Sequence, residues 1–200
     1  MKKFFAALMC MILATGAAMA QKQLTFGPKV GMDLTNFWGK DLHHGMQFNY
    51  QAGVFLEYRF TDKFSLAPEV VFAAQGGKMV ASVFYDGASS DTDLFFHFNY
   101  INVPVLMKIY ATPKLSIDFG PQIGFSVYSK ATTKSKQDKT YTREVAGAKS
   151  VDFGLGLGAT YNFTDRVFVQ GRYTMGMTKV IGDHYDVKNG NIQLAVGYRF

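Results

Sequence analysis

The residues that could do chemistry lie in polar segments of the chain, away from its regular parts. His43 and His44 are adjacent in one such segment, and the run Ser89-Ser90-Asp91 lies in another. A histidine base, a serine nucleophile and an orienting acid would suit acyl transfer or hydrolysis if the fold brought them together. Serine, aspartate and histidine are also ordinary loop residues. We therefore expect no catalytic site and keep an enzyme as the second interpretation.

The histidines, cysteines and glycines of the sequence lack the spacing that is usual in metal and cofactor sites. The histidines are His43, His44, His97 and His184. They are not spaced with acids or cysteines as metal ligands, and Cys10 is the single cysteine. The glycines of the run Gly154–Gly158 recur at every second position with no helix after them, unlike a dinucleotide-binding loop. We expect neither a metal nor a cofactor.

The elements that must position any site are strands, because the dominant pattern of the chain has a period of two. Phe48, Tyr50 and Ala52 alternate with Asn49 and Gln51. Such alternation indicates strands with one apolar and one polar face. It recurs in the segments 24–37, 48–60, 64–75, 95–110, 115–127, 151–161, 167–179 and 192–200.

Short and long connections alternate between these eight segments. The short ones are 61–63, 112–114 and 162–166, and the long polar ones are 38–46, 76–94, 130–150 and 180–190. Transmembrane strands need about 9–11 residues, and outer-membrane barrels join them by short periplasmic turns and long extracellular loops. The sequence therefore predicts an all-β protein, an eight-stranded antiparallel transmembrane β-barrel.

Aromatic residues gather near the ends of the predicted strands, as in the two interfacial belts of a membrane barrel. The expected periplasmic belt contains Tyr58, Phe60, Phe64, Tyr110, Tyr161, Phe163, Tyr198 and Phe200, and the outer belt Phe37, Trp38, Phe48, Tyr50, Phe96, Phe98 and Tyr128. The alternative is a soluble barrel with its apolar face inside. The run Gly154–Gly158 argues against it, because inward glycines make room for large side chains in a narrow barrel.

The first twenty residues differ from the rest. Lys2 and Lys3 precede an apolar run, and Ala18-Met19-Ala20 has the form of a signal-peptidase site. The apolar run is shorter than the roughly 20 residues of a membrane helix. We expect residues 1–20 to be a signal peptide cleaved after Ala20, and residues 21–200 to be the barrel domain of an exported outer-membrane protein. Removal of Lys2 and Lys3 lowers the formal net charge from +6 to +4, which is mild and does not suggest nucleic acid.

Charged residues recur on the polar parity of the strands, which faces the barrel interior. The expected interior network consists of Lys29, Glu57, Arg59, Glu69, Asp118, Asp152, Arg172 and Arg199, with Asp33 and Lys108 on the same parity. Because an eight-stranded barrel is just wide enough for side chains, these charges must be paired. We expect a structural core in which Glu69 pairs with an inward Lys or Arg, and a narrow conduit is the alternative. Pro68, Pro104 and Pro121 predict interruptions of strand pairing.

One long connection has a charge bias. Its basic residues are Lys130, Lys134, Lys136, Lys139 and Arg143, with Lys149, and its acids are Asp138 and Glu144. A basic outer loop could bind lipopolysaccharide phosphates or an acidic protein partner. The alternative is a solvated loop without a partner.

Several strand motifs resemble those of one bacterial family. They are Gly27-Pro28-Lys29-Val30-Gly31, Leu66-Ala67-Pro68-Glu69-Val70, Tyr100-Ile101-Asn102-Val103-Pro104-Val105-Leu106-Met107-Lys108 and Gly120-Pro121-Gln122-Ile123-Gly124. Together they resemble the PorT-type outer-membrane β-barrel family of Bacteroidetes. The terminal Phe200 is similar to the last residue of most substrates of the barrel assembly machinery.

The resemblance implies a barrel in contact with outer-membrane lipid and lipopolysaccharide, and little more. Its named member assists a secretion system, but the motifs are shared across the family and do not assign that role. We therefore expect a non-enzymatic integral membrane protein that serves envelope structure or binds a partner or ligand through extracellular loops. A lipid A-modifying barrel enzyme and a secretion-associated or narrow-channel barrel are the alternatives.

Overall fold

The computed structural model describes residues 23–38, 44–85, 88–134, 140–144, 150–178 and 188–200. The strands in these ranges are β1 (Leu24–Trp38), β2 (His44–Gly45), β3 (Gln47–Arg59), β4 (Phe64–Tyr85), β5 (Ala88–Thr112), β6 (Leu115–Lys134), β7 (Thr140–Glu144), β8 (Val151–Asn162), β9 (Val167–Gly176) and β10 (Lys188–Tyr198). Within them, no helix is long and apolar enough to cross a membrane.

Eight of these strands close into a ring. Each pairs antiparallel with the next in the order β1, β3, β4, β5, β6, β8, β9 and β10, and β10 pairs back with β1. The short strands β2 and β7 lie beside the ring, where β2 pairs with β4 and β7 with β6. The predicted eight-stranded antiparallel barrel is confirmed.

The alternation of residue types places the polar face of each strand inside. In β8, Leu155 and Leu157 are 47% and 61% exposed, whereas Gly154, Gly156 and Thr160 are buried. Large apolar side chains cover the outer surface of the other ring strands in the same way. This surface suits the hydrocarbon of a bilayer, in which a closed barrel satisfies its backbone hydrogen bonds internally.

Inward glycines make room for large side chains, as expected from the run Gly154–Gly158. A Cβ atom at Gly156 would lie 3.3 Å from Cδ of Arg172. A Cβ atom at Gly197 would enter the ring of Phe168. These glycines therefore create the space that an interior arginine and an interior phenylalanine occupy.

The three short turns lie at one end of the barrel, which we call the short-turn end. Each contains a threonine, Thr61, Thr112 or Thr164, whose hydroxyl accepts from the backbone N–H groups two and three residues later. A threonine hydroxyl that bonds its own turn stabilises a tight connection without a left-handed residue.

The opposite end, which we call the extended end, differs from the prediction. Residues 76–94 are not a loop, because β4 and β5 remain paired out to Tyr85 and Ala88. The strands β4, β5 and β6 have 22, 25 and 20 residues, against 12, 10 and 11 in β8, β9 and β10. A bilayer crossing uses about 9–11 residues. The three long strands therefore continue as a sheet beyond the bilayer, extended sideways by β2 and β7.

The aromatic belt at the short-turn end is largely as expected. Tyr58, Phe60, Phe64, Tyr161, Phe163, Tyr198 and Phe200 are exposed on the outer surface. Two assignments are wrong, because Tyr110 and Phe98 are 6% and 1% exposed and point into the barrel. Both share the inward parity of their strand with Asn102 and Lys108. Of the outer belt, the side chains of Phe37, Trp38 and Phe96 lie outside the described part.

Pro68, Pro104 and Pro121 coincide with interruptions of strand pairing, as predicted. The skipped pairs are Leu56-Glu57 opposite Ala67-Pro68, Glu69-Val70 opposite Val103-Pro104, and Val105-Leu106 opposite Gly120-Pro121. Proline has no N–H to donate to a ladder, which accounts for a gap beside each. The register continues unchanged beyond each gap, so the strands bridge it without a slip.

Candidate functional site

The centre of the barrel interior holds one acid between two cations, which we call the central layer. Glu69 on β4 accepts from Lys29 on β1 at 2.7 Å and from Arg172 on β9 at 3.0 Å, both at its Oε2 atom. All three side chains are at most 4% exposed. The structure thus brings together three of the residues that the sequence suggested for the network.

Neutral side chains complete the hydrogen bonds of the central layer. Nζ of Lys29 also donates to Oε1 of Gln170 at 2.8 Å, and Nε of Arg172 donates to Oε1 of Gln193 at 2.7 Å. Buried ion pairs are tolerated when their remaining donors are satisfied in this way. The layer therefore joins side chains of β1, β4, β9 and β10 through buried hydrogen bonds across the barrel interior.

A second group, which we call the short-turn layer, surrounds Glu57 on β3. Its Oε2 atom lies 3.3 Å from Nη2 of Arg199 and 3.9 Å from Nζ of Lys108. Its Oε1 atom accepts from Ser65 at 2.8 Å and from the hydroxyl of Tyr110. Both carboxylate oxygens of Glu57 are therefore engaged.

Asp118 on β6 links the two layers. Its carboxylate lies 3.7 Å from Nζ of Lys108 and accepts from Ser116 at 2.6 Å and from the hydroxyl of Thr160. It also accepts from Nε2 of Gln170 at 3.0 Å, and Gln170 in turn accepts from Lys29. One network of ion pairs and hydrogen bonds thus runs from the short-turn end to the middle of the barrel.

Two residues of the expected network are placed differently. The half-buried guanidinium of Arg59 lies 4.0 Å over the ring of Tyr110, with no carboxylate within 4.0 Å of it among the described residues. Asp152 accepts from Thr178 and from Asn189, which are both neutral. Neither belongs to an ion pair in the described part, so the network is less completely paired than the sequence suggested.

The half of the interior towards the extended end contains buried polar atoms without a hydrogen-bond partner. They are Oδ2 of Asp33, Oε1 of Gln51, Nδ2 of Asn102, Oγ1 of Thr174 and Oδ1 of Asn191. Buried polar groups of this kind are usually satisfied by water. This half therefore combines side-chain hydrogen bonds, such as that from Gln51 to Asp33 at 2.7 Å, with polar atoms that suit water.

Sequence reasoning missed the neutral members of the network. Gln170 and Thr174 flank Arg172 at every second position of β9, and Asn191 and Gln193 are alternate buried positions of β10. The period of two carries their signal, because it places every second residue beside an inward charge on the same face. The omission arose from considering charged residues alone.

The candidate catalytic residues are not brought together where the structure describes them. His44 pairs with Met79, whereas Ser90 and Asp91 pair with Val83 and Ser82 on the other side of β4. With about 3.3 Å per residue and 4.8 Å between strands, the Cα atoms of His44 and Asp91 are roughly 14 Å apart. His43 lies outside the described residues.

The candidate loop patch is divided by the hairpin of β6 and β7. Lys130 and Lys134 stand opposite Glu144 and Thr140, whereas Arg143 stands opposite Ala131, one residue out of step. Successive residues of a strand belong to opposite faces, so Arg143 does not share a face with the two lysines. Lys136 and Lys139 lie outside the described residues.

Over the described part of the chain, no group of three or more His, Cys, Asp or Glu could hold a metal ion.

A closed antiparallel barrel with an apolar outside and a charged, packed inside defines a membrane-spanning barrel protein. A family model described as "Outer membrane protein beta-barrel domain" matches residues 19–182. The chain belongs to this family and is an integral protein of the outer membrane. In such barrels the short turns are periplasmic and the long segments extracellular, which orients the two ends described above.

Solved structures of other barrels share the fold at low sequence identity. The attachment invasion locus protein Ail of Yersinia pestis, solved with the heparin analogue sucrose octasulfate, is 16% identical with a TM-score of 0.51, over 89% of this chain and 99% of that one. Neisserial surface protein A is 14% identical with a TM-score of 0.53, over 88% and 97%. A major outer membrane protein from Thermus thermophilus is 14% identical with a TM-score of 0.53, over 88% and 99%. The comparison with curated proteins gave no significant match.

Proposed function

We propose that the protein is a non-enzymatic barrel of the cell envelope that binds a partner through its extended end. The observation that carries this proposal is the unequal length of the strands, since β4, β5 and β6 continue about 10–15 residues beyond a bilayer crossing. Spanning the membrane does not require this length. The additional sheet offers surface for contacts outside the cell.

The basic segment indicates the chemistry of the partner. Lys130 and Lys134 belong to one face of the hairpin of β6 and β7 and Arg143 to the other, and Lys136 and Lys139 fall between them in the sequence. We assign this segment to anionic groups, in the first place the phosphates of lipopolysaccharide, which lysine and arginine recognise by charge-assisted hydrogen bonds. The polysulfated sugar bound to Ail supports an anionic partner as the first choice to test. An acidic protein is the second.

The test compares two triple variants of the folded protein in nanodiscs. One changes Lys130, Lys134 and Arg143 to Glu, and the matched control changes Lys63, Lys114 and Arg166 of the periplasmic turns to Glu. Binding of lipopolysaccharide and of heparin is measured at two salt concentrations. We expect the first variant to bind at least about tenfold more weakly, because surface charges contribute roughly 0–1 kcal/mol each. Equal loss in both variants would overturn the proposal.

A lipid A-modifying enzyme is the first alternative. The roughly 14 Å between His44 and Asp91 argues against the set of histidine, serine and acid on which it depends. Mass spectrometry of lipid A from a deletion strain tests it. An altered acyl pattern that the wild type restores and the double variant His43→Ala/His44→Ala does not restore would favour the enzyme.

A narrow channel is the second alternative, and one observation favours it. The unpartnered polar atoms of Asp33, Gln51 and Asn191 suit water in the outer half of the interior. Below them the central layer joins side chains of four strands across the interior by buried hydrogen bonds. We therefore expect no discrete conductance from the protein in planar bilayers, and regular conductance steps would contradict this.

The finer assignments belong to the same proposal. The strand motifs around Lys29, Glu69 and Lys108 support membership of the PorT-type family of Bacteroidetes. The composition of residues 1–20 supports export with cleavage after Ala20. The closure of the barrel between β10 and β1 supports insertion of the chain as an outer-membrane barrel, for which we assign the barrel assembly machinery as the partner. A role in a secretion system requires a partner, which crosslinking in native envelopes would identify.

A further inference from the structure

The periplasmic mouth of the barrel contains a cavity of about 670 Å³, which we call the vestibule. It is lined by the ends of β1, β3, β8 and β10 and by two of the short turns. Its charged lining consists of Arg59, Arg199 and Lys114 against Glu57 and Asp165. Pockets for small molecules usually have about 300–1,000 Å³, so the vestibule is large enough for one.

The acid at the floor of the vestibule does not present a free charge. Both oxygens of Glu57 are engaged, one by Ser65 and Tyr110 and the other by Arg199 and Lys108. Glu57 therefore acts as an internal counter-ion. A ligand entering the vestibule meets the cations around it rather than its carboxylate.

Two guanidinium groups are held in fixed orientations at the vestibule. Arg59 lies with its Cζ atom 4.0 Å from the centre of the Tyr110 ring. Arg199 lies 4.5 Å from the centre of the Phe168 ring and donates to Asn162 at 2.8 Å. A guanidinium has five N–H donors in a rigid plane, so both groups keep donors beyond these contacts.

The charges of the interior are unequally distributed along the barrel. Among described inward residues, the periplasmic part contains the cations Arg59, Lys108 and Arg199 but only the acids Glu57 and Asp118. The outer part contains the acids Asp33 and Asp152 without a cation of its own. A positive excess at a mouth with low-dielectric walls attracts anions.

We propose that the vestibule binds a small organic anion from the periplasmic side. A carboxylate or phosphate of the ligand accepts hydrogen bonds from Arg59 and Arg199, the geometry in which arginine recognises both groups. An apolar portion of the ligand contacts Phe163 and Pro113 at the rim. The anion is either a soluble periplasmic solute or the headgroup of an anionic phospholipid in the inner leaflet.

The test measures binding to the folded mature protein in nanodiscs of zwitterionic lipid by calorimetry. The probe is N-acetylalanine, and its neutral amide and inorganic phosphate are compared with it. The variant is Arg59→Gln, and the matched control is Arg166→Gln, in a periplasmic turn but outside the vestibule, where it donates to Tyr198. Folding of each variant is verified by the migration of the unboiled band.

We expect N-acetylalanine to bind the wild type and the Arg166→Gln variant equally, and the Arg59→Gln variant at least about tenfold more weakly. The neutral amide should not bind. Equal binding of acid and amide, equal loss in the two variants, or no binding of either anion would overturn the proposal. Adding phosphatidylglycerol to the nanodiscs distinguishes the two sources of the anion. If the lipid competes with the probe, the site binds a lipid headgroup; if it does not compete, the site binds a soluble anion.

Discussion

Removing the carboxylate of Glu69 should strongly destabilise the barrel. Glu69 is 3% exposed and is the acid shared by Lys29 and Arg172. Loss of one partner of a buried ion pair typically costs roughly 3–5 kcal/mol, because the remaining charge is left without compensation. Here Gln170 and Gln193 continue to accept from the two cations. We therefore expect Glu69→Ala to cost about 3 kcal/mol, at the lower end of this range.

The assay is urea titration in detergent micelles, with the folded fraction scored by the unboiled band. With a slope of about 1–3 kcal/mol per molar urea, the midpoint of Glu69→Ala should fall by at least about 1 M. The urea midpoint of Glu69→Gln, which retains the side-chain volume and one acceptor oxygen, should lie between the midpoints of Glu69→Ala and the wild type. The control is Asp62→Ala in an exposed turn, where a charge is worth roughly 0–1 kcal/mol. If Glu69→Ala and Asp62→Ala unfold together, the central layer is hydrated and the reasoning is refuted.

Three other predictions concern packing, water and export. Gly197→Val should abolish the fast-migrating band of the folded, unboiled protein on a gel, because the valine side chain would occupy the ring of Phe168. A urea midpoint equal to that of the wild type would contradict this. Thr174→Cys should react with a charged thiol reagent added outside whole cells and Ser116→Cys should not, because unpartnered polar atoms lie only in the outer half of the described interior; equal labelling would contradict a closed central layer. N-terminal sequencing of the purified protein should begin at Gln21, and any other start would disprove cleavage after Ala20.

The fold followed from local features of the sequence. A period of two and short turns are properties of neighbouring residues, so they predict strands and hairpins without long-range information. For Tyr110 two signals of the sequence conflict. Its position near a strand end predicts the interfacial belt, whereas its place two residues after the inward Lys108 predicts the interior, where the structure has it. The threonine that recurs in the turns, at Thr61, Thr112 and Thr164, is a further local signal of these tight connections.

Other features depend on how the ring closes. Lys29 and Gln170 are 141 residues apart, and their contact requires the stagger of the strands around the whole barrel. The length of β4 and β5 was underestimated for a different reason. Beyond the bilayer no hydrocarbon requires an apolar face, and the glycine pair Gly76-Gly77 and the polar run Ser89-Ser90-Asp91 make segment 76–94 resemble a loop although it is paired.

The three gaps beside Pro68, Pro104 and Pro121 have a mechanical consequence. On β4 the gap towards β3 ends at residue 68 and the gap towards β5 begins at 69, and on β5 the same step occurs between 104 and 105. The three gaps therefore form one oblique line across the ladders β3–β4, β4–β5 and β5–β6. The ladders joining β6, β8, β9, β10, β1 and β3 are continuous wherever the structure describes them. Because fewer backbone pairs join the strands along this line, we expect the wall to bend more readily between β3 and β6 than on the side with continuous ladders when the thickness or curvature of the bilayer changes.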